Sequence, residues 1–317
     1  MGRQHDTPRA FYDGRPVLRW VRIAAAFALA IGVTATAADA GGLRPALEAA
    51  MAGRPGAALL MDVRTGRLLA AYDLRTAAQR LAAPGSTVKP FVLLELLTAG
   101  KVPAAERLAC PRKLALAGRR LDCSHPESVG PMDARLALAW SCNNYFATLA
   151  ARLQDAELRQ ALLRAGFAVR TGLATREATG RVTAPRSPED RQLLALGEAG
   201  IEVTPLELLV AYRRLAQKRR QGNLTPELAT VFNALEDSVA FGMAASARQS
   251  TITIAGKTGT ATAPGGATHG WFAGFAPAER PQVTVVVYLE QGRGSDAAAV
   301  AGKILAAWAE IEQRRRL

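Results

Sequence analysis

The sequence predicts an α/β (α+β) fold, in which an antiparallel β-sheet is flanked by helices and carries an inserted all-helical lobe. Short apolar runs bounded by turn residues, typical of strands, occur at residues 57–72 and again after residue 251. Over about residues 90–232, apolar residues instead recur every three or four positions, as in helices. Because strands lie on both sides of the helical stretch, the first hairpin and the last strands are expected to share one sheet.

The individual elements follow from the same patterns. Two apolar runs flank Arg64-Thr65-Gly66, a tight-turn signal, and therefore predict a hairpin. Helices are expected at residues 134–153, 156–163 and 205–215. Strands are expected at residues 251–254, 270–275 and 283–289, and a last helix at 297–311.

The first 40 residues have the composition of an export segment. Residues 1–22 carry five arginines and are expected to be a basic cytoplasmic segment, and the apolar residues 23–40 a signal peptide or membrane anchor. The run ends in Ala38-Asp39-Ala40, which resembles a signal-peptidase site, so cleavage after Ala40 and retention as an anchor both stay open. Residues 41–317 are expected to form one exported domain, in the periplasm or at the outer face of the cytoplasmic membrane.

The net charge of +13 does not indicate nucleic-acid binding, because the basic residues are scattered and form no block interleaved with aromatics. An anionic envelope polymer, a membrane surface or simple arginine-rich composition explains the charge equally well. The chain has 34 arginines and only six lysines. Since arginine stays protonated, a lysine in such a chain indicates a place where deprotonation or a compact charge is needed, and Lys89 and Lys257 fit this description.

Cysteine and histidine are rare. In an exported protein Cys110 and Cys123 can close a small loop as a disulfide, which leaves Cys142 unpaired as a core filler. The three histidines and three cysteines show no Cys-x-x-Cys or His-x-x-x-His spacing. We therefore expect neither a metal site nor a cofactor.

The stretch Ser86-Thr87-Val88-Lys89 carries the clearest chemical signal. Pro84 and Gly85 precede it and an apolar helical run follows, so Ser86 is expected at a helix start with Lys89 one turn on. A partly desolvated lysine loses affinity for its proton and can then deprotonate a serine that attacks a carbonyl. Taken alone, the pattern equally fits a helix-capping serine followed by a solvated lysine.

Two further groups occur where a serine–lysine enzyme needs them. Ser141-Cys142-Asn143 interrupts the helical pattern, and Lys257-Thr258-Gly259-Thr260 continues a predicted strand in which glycine allows close backbone approach. Each alone is ordinary composition for a helix cap or a strand edge. Together and in this order, the three groups resemble the Ser-x-x-Lys, Ser-x-Asn and Lys-Thr-Gly motifs of the penicillin-binding protein and serine β-lactamase superfamily.

The resemblance extends to residues 200–205 and 269–277 and implies a transpeptidase domain over about residues 57–307, which is nearly the whole exported chain. It implies that Ser86 is acylated, that Lys89 activates it, and that Ser141 with Lys257 returns a proton to the leaving amine. Asn143 is implied to bind the substrate peptide. The resemblance also implies that Lys257, Thr258 and Thr260 bind the terminal carboxylate beside Gly259, and that backbone N–H groups of Ser86 and Thr260 form the oxyanion hole.

This resemblance implies a D,D-transpeptidase that acts on peptidoglycan stem peptides, binds β-lactam antibiotics and works with a cell-wall polymerase, since nothing in this sequence could polymerise glycan. A D,D-carboxypeptidase, a β-lactamase and a non-catalytic sensor or scaffold stay as alternatives. Rapid β-lactam hydrolysis is not expected. Class A β-lactamases deacylate with a Glu-x-x-Asn loop, and the nearest candidate here, Glu189-Asp190-Arg191-Gln192, ends in glutamine instead. A further departure is Glu198-Ala199, where many relatives have a single glutamine.

Overall fold

The computed structural model describes Gly2 and residues 42–262 and 266–315. Apart from Gly2, these residues belong to one compact unit, Ala37–Leu317. The predicted cytoplasmic segment and the predicted signal peptide or anchor therefore lie outside the described residues, Gly2 excepted. Within the described ranges, no helix combines the length and the apolar character that a membrane crossing requires.

The helices and strands are numbered in chain order. They are α1 (Leu43–Met51), β1 (Gly56–Asp62), β2 (Leu68–Tyr72), α2 (Leu74–Gln79), α3 (Lys89–Thr98), β3 (Ala115–Leu116), β4 (Arg119–Arg120), α4 (Ala134–Ala139), α5 (Asn143–Ala150), α6 (Asp155–Ala165), β5 (Arg181–Val182), α7 (Pro188–Leu196), β6 (Ile201–Glu202), α8 (Pro205–Gln221), α9 (Pro226–Ala240), β7 (Ala255–Thr262), β8 (Thr268–Ala276), β9 (Val283–Leu289) and α10 (Gly294–Arg314). A 3₁₀ turn, Gly85–Val88, leads directly into α3.

The predicted antiparallel sheet is confirmed. Its five strands lie in the order β2-β1-β9-β8-β7, so the N-terminal hairpin joins the three C-terminal strands. Both faces are covered, and every residue of β9 is buried. Leu59 and Tyr288 face the core of the helical lobe, whereas Leu60 and Val287 face α1 and α10. Burial on both faces explains why these strands are continuous apolar runs.

The hairpin turn forms where the sequence places it. Oδ1 of Asp62 accepts hydrogen bonds from the backbone N–H and the hydroxyl of Thr65, at 2.6 and 2.7 Å. Gly66 has φ +74°, a conformation that glycine adopts without the steric penalty of a Cβ. This turn fixes the register of β1 against β2.

The helical lobe lies between β2 and β7 and extends to the end of α9, beyond the predicted boundary near residue 232. It also contains two short two-stranded ladders, β3–β4 and β5–β6. The predicted helix at residues 134–153 is divided into α4 and α5 at the Ser141 to Asn143 turn, which is the interruption expected from the sequence. The last helix, α10, begins before the predicted range and ends after it.

The predicted strand at residues 251–254 is wrong, because pairing with β8 begins only at Ala255. Thr253 instead bonds to a turn beyond β8. Its carbonyl and its hydroxyl both accept from the N–H of Ala278, and the hydroxyl donates to the carboxylate of Glu279. These local bonds keep Thr253 outside the ladder.

Candidate active site

The structure places Ser86 at a helix start, as the sequence predicts. Ser86 lies in the Gly85–Val88 turn and is partly exposed, and α3 begins three residues later at Lys89. The carbonyl of Pro84 accepts bonds from the backbone N–H and the hydroxyl of Thr87, which closes the turn. Gly85 has φ +53°, and a Cβ there would lie 2.8 Å from the carbonyl oxygen of Thr260, so glycine lets β7 approach the turn.

The ammonium of Lys89 is fully buried and is held by the second motif. Its Nζ donates to the Ser141 carbonyl at 2.9 Å, to the Ser141 Oγ at 3.3 Å and to Oδ1 of Asn143 at 2.6 Å. The ring of Phe146 lies 5.2 Å from the same nitrogen. Within the described part of the chain, Ser86 Oγ makes no hydrogen bond with Lys89. In active sites without substrate, catalytic hydrogen bonds are often long and shorten when the substrate binds.

The turn that carries Ser141 and Asn143 is the junction of α4 and α5. Ser141 has φ +55°, an uncommon conformation for a residue with a Cβ. Cys142 follows as the N-cap of α5, where its Sγ accepts from the N–H of Tyr145 at 3.4 Å. Nδ2 of Asn143 donates to the carbonyl of Leu121 at 3.0 Å, which leaves Oδ1 directed at Lys89.

The third motif lies on β7, at the edge of the sheet. Lys257 is fully buried, and its Nζ donates to the carbonyl of Thr258 at 3.1 Å. A Cβ at Gly259 would lie 2.5 Å from the Pro84 carbonyl oxygen, so Gly259 lies against the turn that carries Ser86. The first motif therefore contacts the second through Lys89 and the third through its Pro84–Gly85 turn, so the three motifs lie together where the helical lobe meets the sheet edge.

The two threonines of this motif differ in exposure. Thr258 is buried, and its Cβ lies against the backbone of Gly294 at the start of α10. Thr260 is exposed, and its Oγ1 accepts from the N–H of Gly294 at 2.9 Å. That contact uses a lone pair of Thr260, so the hydroxyl hydrogen stays available to a ligand.

Burial lowers the pKa of both lysines. The pKa of Lys89 is lowered from 10.5 to about 8, because desolvation outweighs the opposing effects of Cys142, Cys123 and Glu198. The pKa of Lys257 is lowered well below its ordinary value, first by desolvation and then by the charge of Lys89. Since Nζ of Lys89 lies 3.3 Å from Oγ of Ser141, the neutral fraction of this amine can exchange a proton with that hydroxyl near neutral pH.

The loop with the sequence departure, Glu198-Ala199, packs against the Ser86 turn. The carbonyl of Gly197 accepts from the N–H of Gly85 at 2.9 Å. Glu198 forms an ion pair with Arg119 at 2.7 Å, and burial raises the Glu198 pKa although Arg119 and Lys89 oppose this rise. Sequence reasoning flagged the Glu198 loop but missed Arg119, whose hairpin meets the loop only through the tertiary fold.

The cysteines form an arrangement that the sequence analysis did not predict. Cys110, Cys123, His125 and Cys142 offer potential ligand atoms that all lie within 4.8 Å of one another. Cys110 and Cys123 flank the β3–β4 hairpin, which brings their sulfurs to 3.6 Å, and the two thiols are not bonded. Cys142 is buried as expected, but it is not isolated, since its sulfur lies 3.8 Å from that of Cys123.

No short sequence motif indicates this cluster. Twelve residues separate the first two cysteines, one separates Cys123 from His125, and sixteen separate His125 from Cys142. The close Cys123-x-His125 pair was the available signal. The remaining ligand atoms come together only because the β3–β4 hairpin packs on the start of α5.

The chain matches a family model described as the penicillin binding protein transpeptidase domain, over residues 56–309. Among curated proteins, it is 25% identical to the peptidoglycan D,D-transpeptidase MrdA of Acinetobacter baumannii, across 84% of this chain and 52% of that protein. The chain thus spans about half the length of this relative.

Solved structures share the fold. The PBP2 of Pseudomonas aeruginosa, in complex with WCK 5153, superposes with a TM-score of 0.74 at 27% identity, covering 84% of this chain and 76% of that one. The D,D-transpeptidase domain of a peptidoglycan glycosyltransferase from Eggerthella lenta has a TM-score of 0.74 at 23% identity, covering 85% and 81%. The PBP2 of Helicobacter pylori, solved in a complex with MreC, has a TM-score of 0.75 at 22% identity, covering 85% and 62%.

Proposed function

Because the chain belongs to the penicillin-binding protein transpeptidase family, we propose that it is a serine D,D-transpeptidase that acts on peptidoglycan stem peptides ending in D-Ala-D-Ala. The observation that carries this proposal is the fully buried ammonium of Lys89, bonded to Ser141 and Asn143 and one helical turn from Ser86. Burying a lysine ammonium is unfavourable unless hydrogen-bond partners compensate for the lost hydration, so a buried lysine needs a reason. Two fully buried lysines, Lys89 in the helical lobe and Lys257 on β7, therefore indicate a chemical role for the place where the lobe meets the sheet.

In the proposed acylation step, Oγ of Ser86 attacks the carbonyl carbon of the penultimate D-alanine, and the neutral amine of Lys89 accepts the hydroxyl proton. A pKa of about 8 leaves roughly a tenth of Lys89 neutral at pH 7. Backbone N–H groups of Ser86 and Thr260 stabilise the oxyanion. The peptide C–N bond then breaks, and the departing amine of D-alanine takes a proton through Ser141, with Lys257 nearby.

The substrate's terminal carboxylate is proposed to bind at the third motif. Lys257 supplies the positive charge, and a carboxylate beside this desolvated amine favours its protonated form. The exposed Thr260 can donate its hydroxyl hydrogen to the carboxylate while it accepts from Gly294. Thr258 is the buried hydroxyl of the pair and lies on the same face of β7 as Thr260.

In the second step, an amine of a neighbouring stem peptide attacks the acyl-enzyme, so that a peptide bond replaces the ester to Ser86. A D,D-carboxypeptidase would use water instead, and the motifs themselves are common to both reactions. Purified full-length protein, given a D-Ala-D-Ala peptide with and without an acceptor amine, tests the proposal. We expect D-alanine release together with the cross-linked product, and no release by Ser86→Ala; release without cross-linked product would favour the carboxypeptidase.

The same acyl-transfer site accounts for the proposed binding of β-lactams, which acylate the serine in place of the peptide. The proposed location is the periplasm or the outer face of the cytoplasmic membrane, where stem peptides occur. We propose a cell-wall polymerase as a partner, since the stem peptides that this reaction joins are carried on glycan. The Helicobacter pylori relative was solved in a complex with MreC, which supports the idea that proteins of this fold work in assemblies.

A further inference from the structure

The cluster of Cys110, Cys123, His125 and Cys142 has the composition and spacing of a tetrahedral metal site. A tetrahedral site with metal–sulfur bonds of about 2.3 Å places its sulfurs about 3.8 Å apart. The sulfur of Cys123 lies 3.6 Å from that of Cys110 and 3.8 Å from that of Cys142. Three thiols and one imidazole are also the donor set that a structural zinc site uses.

The histidine is oriented toward the cluster. Nδ1 of His125 lies 3.0 Å from the carbonyl oxygen of Pro126, which requires Nδ1 to carry the hydrogen and leaves Nε2 with a free lone pair. That Nε2 atom is buried and has no hydrogen-bond partner within the described part of the chain, and the whole residue is 2% exposed. A buried lone pair without a donor is unfavourable, and a metal ion would satisfy it.

A second layer of donors surrounds the sulfurs. The backbone N–H of Asn143 donates to Cys123 at 3.2 Å, and Nδ2 of Asn144 donates to Cys123 and Cys110 at 3.4 and 3.5 Å. Such N–H contacts stabilise thiolates that bind metals. A disulfide between Cys110 and Cys123 would explain only two of the four groups and would leave Cys142 and His125 without a role.

We propose that Cys110, Cys123, His125 and Cys142 bind one soft divalent cation, with Zn²⁺ as the best match, and that this ion holds the Ser141 to Asn143 turn in place. Cys142 lies between the two motif residues, and the N–H of Asn143 bonds to the sulfur of a second ligand. The ligands on the β3–β4 hairpin thereby fix the start of α5, which carries the partners of Lys89. The four residues are positioning residues. Their effect on catalysis rests on the proposed function.

The metal site is tested on the purified full-length protein by elemental analysis and by the absorption spectrum after exchange with Co²⁺. We expect one bound metal per chain and the thiolate charge-transfer and visible bands of a tetrahedral site. Cys110→Ser and His125→Gln should each lower metal affinity by at least about tenfold. His269→Gln, the same change at a buried histidine outside the cluster, should leave it unchanged. Absence of bound Zn²⁺ or Co²⁺, or a native Cys110–Cys123 disulfide in the intact mass, would overturn the proposal.

The positioning role is tested by hydrogen exchange with the metal removed and then restored, a measurement that needs no acylation. We expect amides at residues 141–146 to exchange at least about tenfold faster without metal, while amides of β9 keep their protection. Restored Zn²⁺ should reverse the change. Equal loss of protection in β9, or no change at residues 141–146, would contradict the positioning role. Failure of Ser86 to react with penicillin would overturn the proposed function and leave these two measurements intact.

Discussion

Nζ of Lys89 lies 2.6 Å from Oδ1 of Asn143, and this hydrogen bond joins α3 to the start of α5. The amide that accepts it is itself oriented by its bond to the carbonyl of Leu121. The lysine is fully buried, and desolvation is the largest cause of its lowered pKa.

Lys89→Arg should lower the rate constant of acylation by benzylpenicillin by about 10²–10⁴-fold, because guanidinium does not release its proton near neutral pH. Rapid-quench measurement of the acyl-enzyme checks this. Lys303→Arg, the same change at an exposed position of α10, is the matched control. An arginine variant that acylates at the wild-type rate would show that Lys89 is not the base.

The acylation rate should depend on pH through Lys89. The neutral amine is the reactive form, and burial lowers the pKa to about 8, so the rate should rise with pH up to about 8 and level off above it. Single-turnover acylation measured over about pH 6 to 11.5 checks the profile, because this range includes both the lowered and the ordinary lysine pKa. An inflection near the ordinary lysine value of 10.5 would contradict the account.

Glu198→Gln should shift that inflection to lower pH, because the Glu198 charge raises the pKa of Lys89. It should change the free energy of unfolding by no more than about 1 kcal/mol, since the loss of the Arg119 ion pair is offset by relief of the desolvation that raises the Glu198 pKa. Glu202→Gln, which breaks the more exposed pair with Arg181, is the control and should change stability little. An unchanged pH profile in Glu198→Gln would show that this carboxylate does not influence the pKa of Lys89.

Gly259→Ala should impair acylation by moving β7 away from the Ser86 turn. The new Cβ would lie 2.5 Å from the Pro84 carbonyl oxygen and 2.9 Å from Cγ2 of Thr87. Overpacking of this kind typically lowers stability by about 1–3 kcal/mol. Gly222→Ala, at a strained helix end with no heavy atom within 4 Å, should lose stability without losing acylation per folded molecule. Full acylation by Gly259→Ala would mean that the close approach is unnecessary.

The sequence was sufficient to predict that the first hairpin and the last strands share one antiparallel sheet, that a tight turn closes the hairpin, and that the helical pattern breaks before Asn143, because each depends on local pattern or turn chemistry. The beginning of β7 was not predictable, since Thr253 is held out of the ladder by Ala278, which is 25 residues away. Local propensity carries no information about such a partner.

The candidate site, too, was predictable from the sequence only in part. Ser86, Lys89 and Lys257 were recognisable from short motifs, and the scarcity of lysine marked Lys89 and Lys257 as places where deprotonation or a compact charge is needed. The cysteine cluster was missed because Cys110 and Cys142 are brought together only by the packing of a hairpin on a helix start. Likewise, the difference in exposure between Thr258 and Thr260 becomes visible only once α10 lies against β7.

The central claim, that Ser86 is the nucleophile of an acyl-transfer site, is tested most directly by intact-mass spectrometry of the full-length protein mixed with benzylpenicillin. The account predicts one penicillin adduct that persists over time in the wild type and is absent from Ser86→Ala. An adduct that disappears by turnover would indicate a β-lactamase instead. No adduct on the wild-type protein, or an equal adduct on Ser86→Ala, would contradict the proposed function.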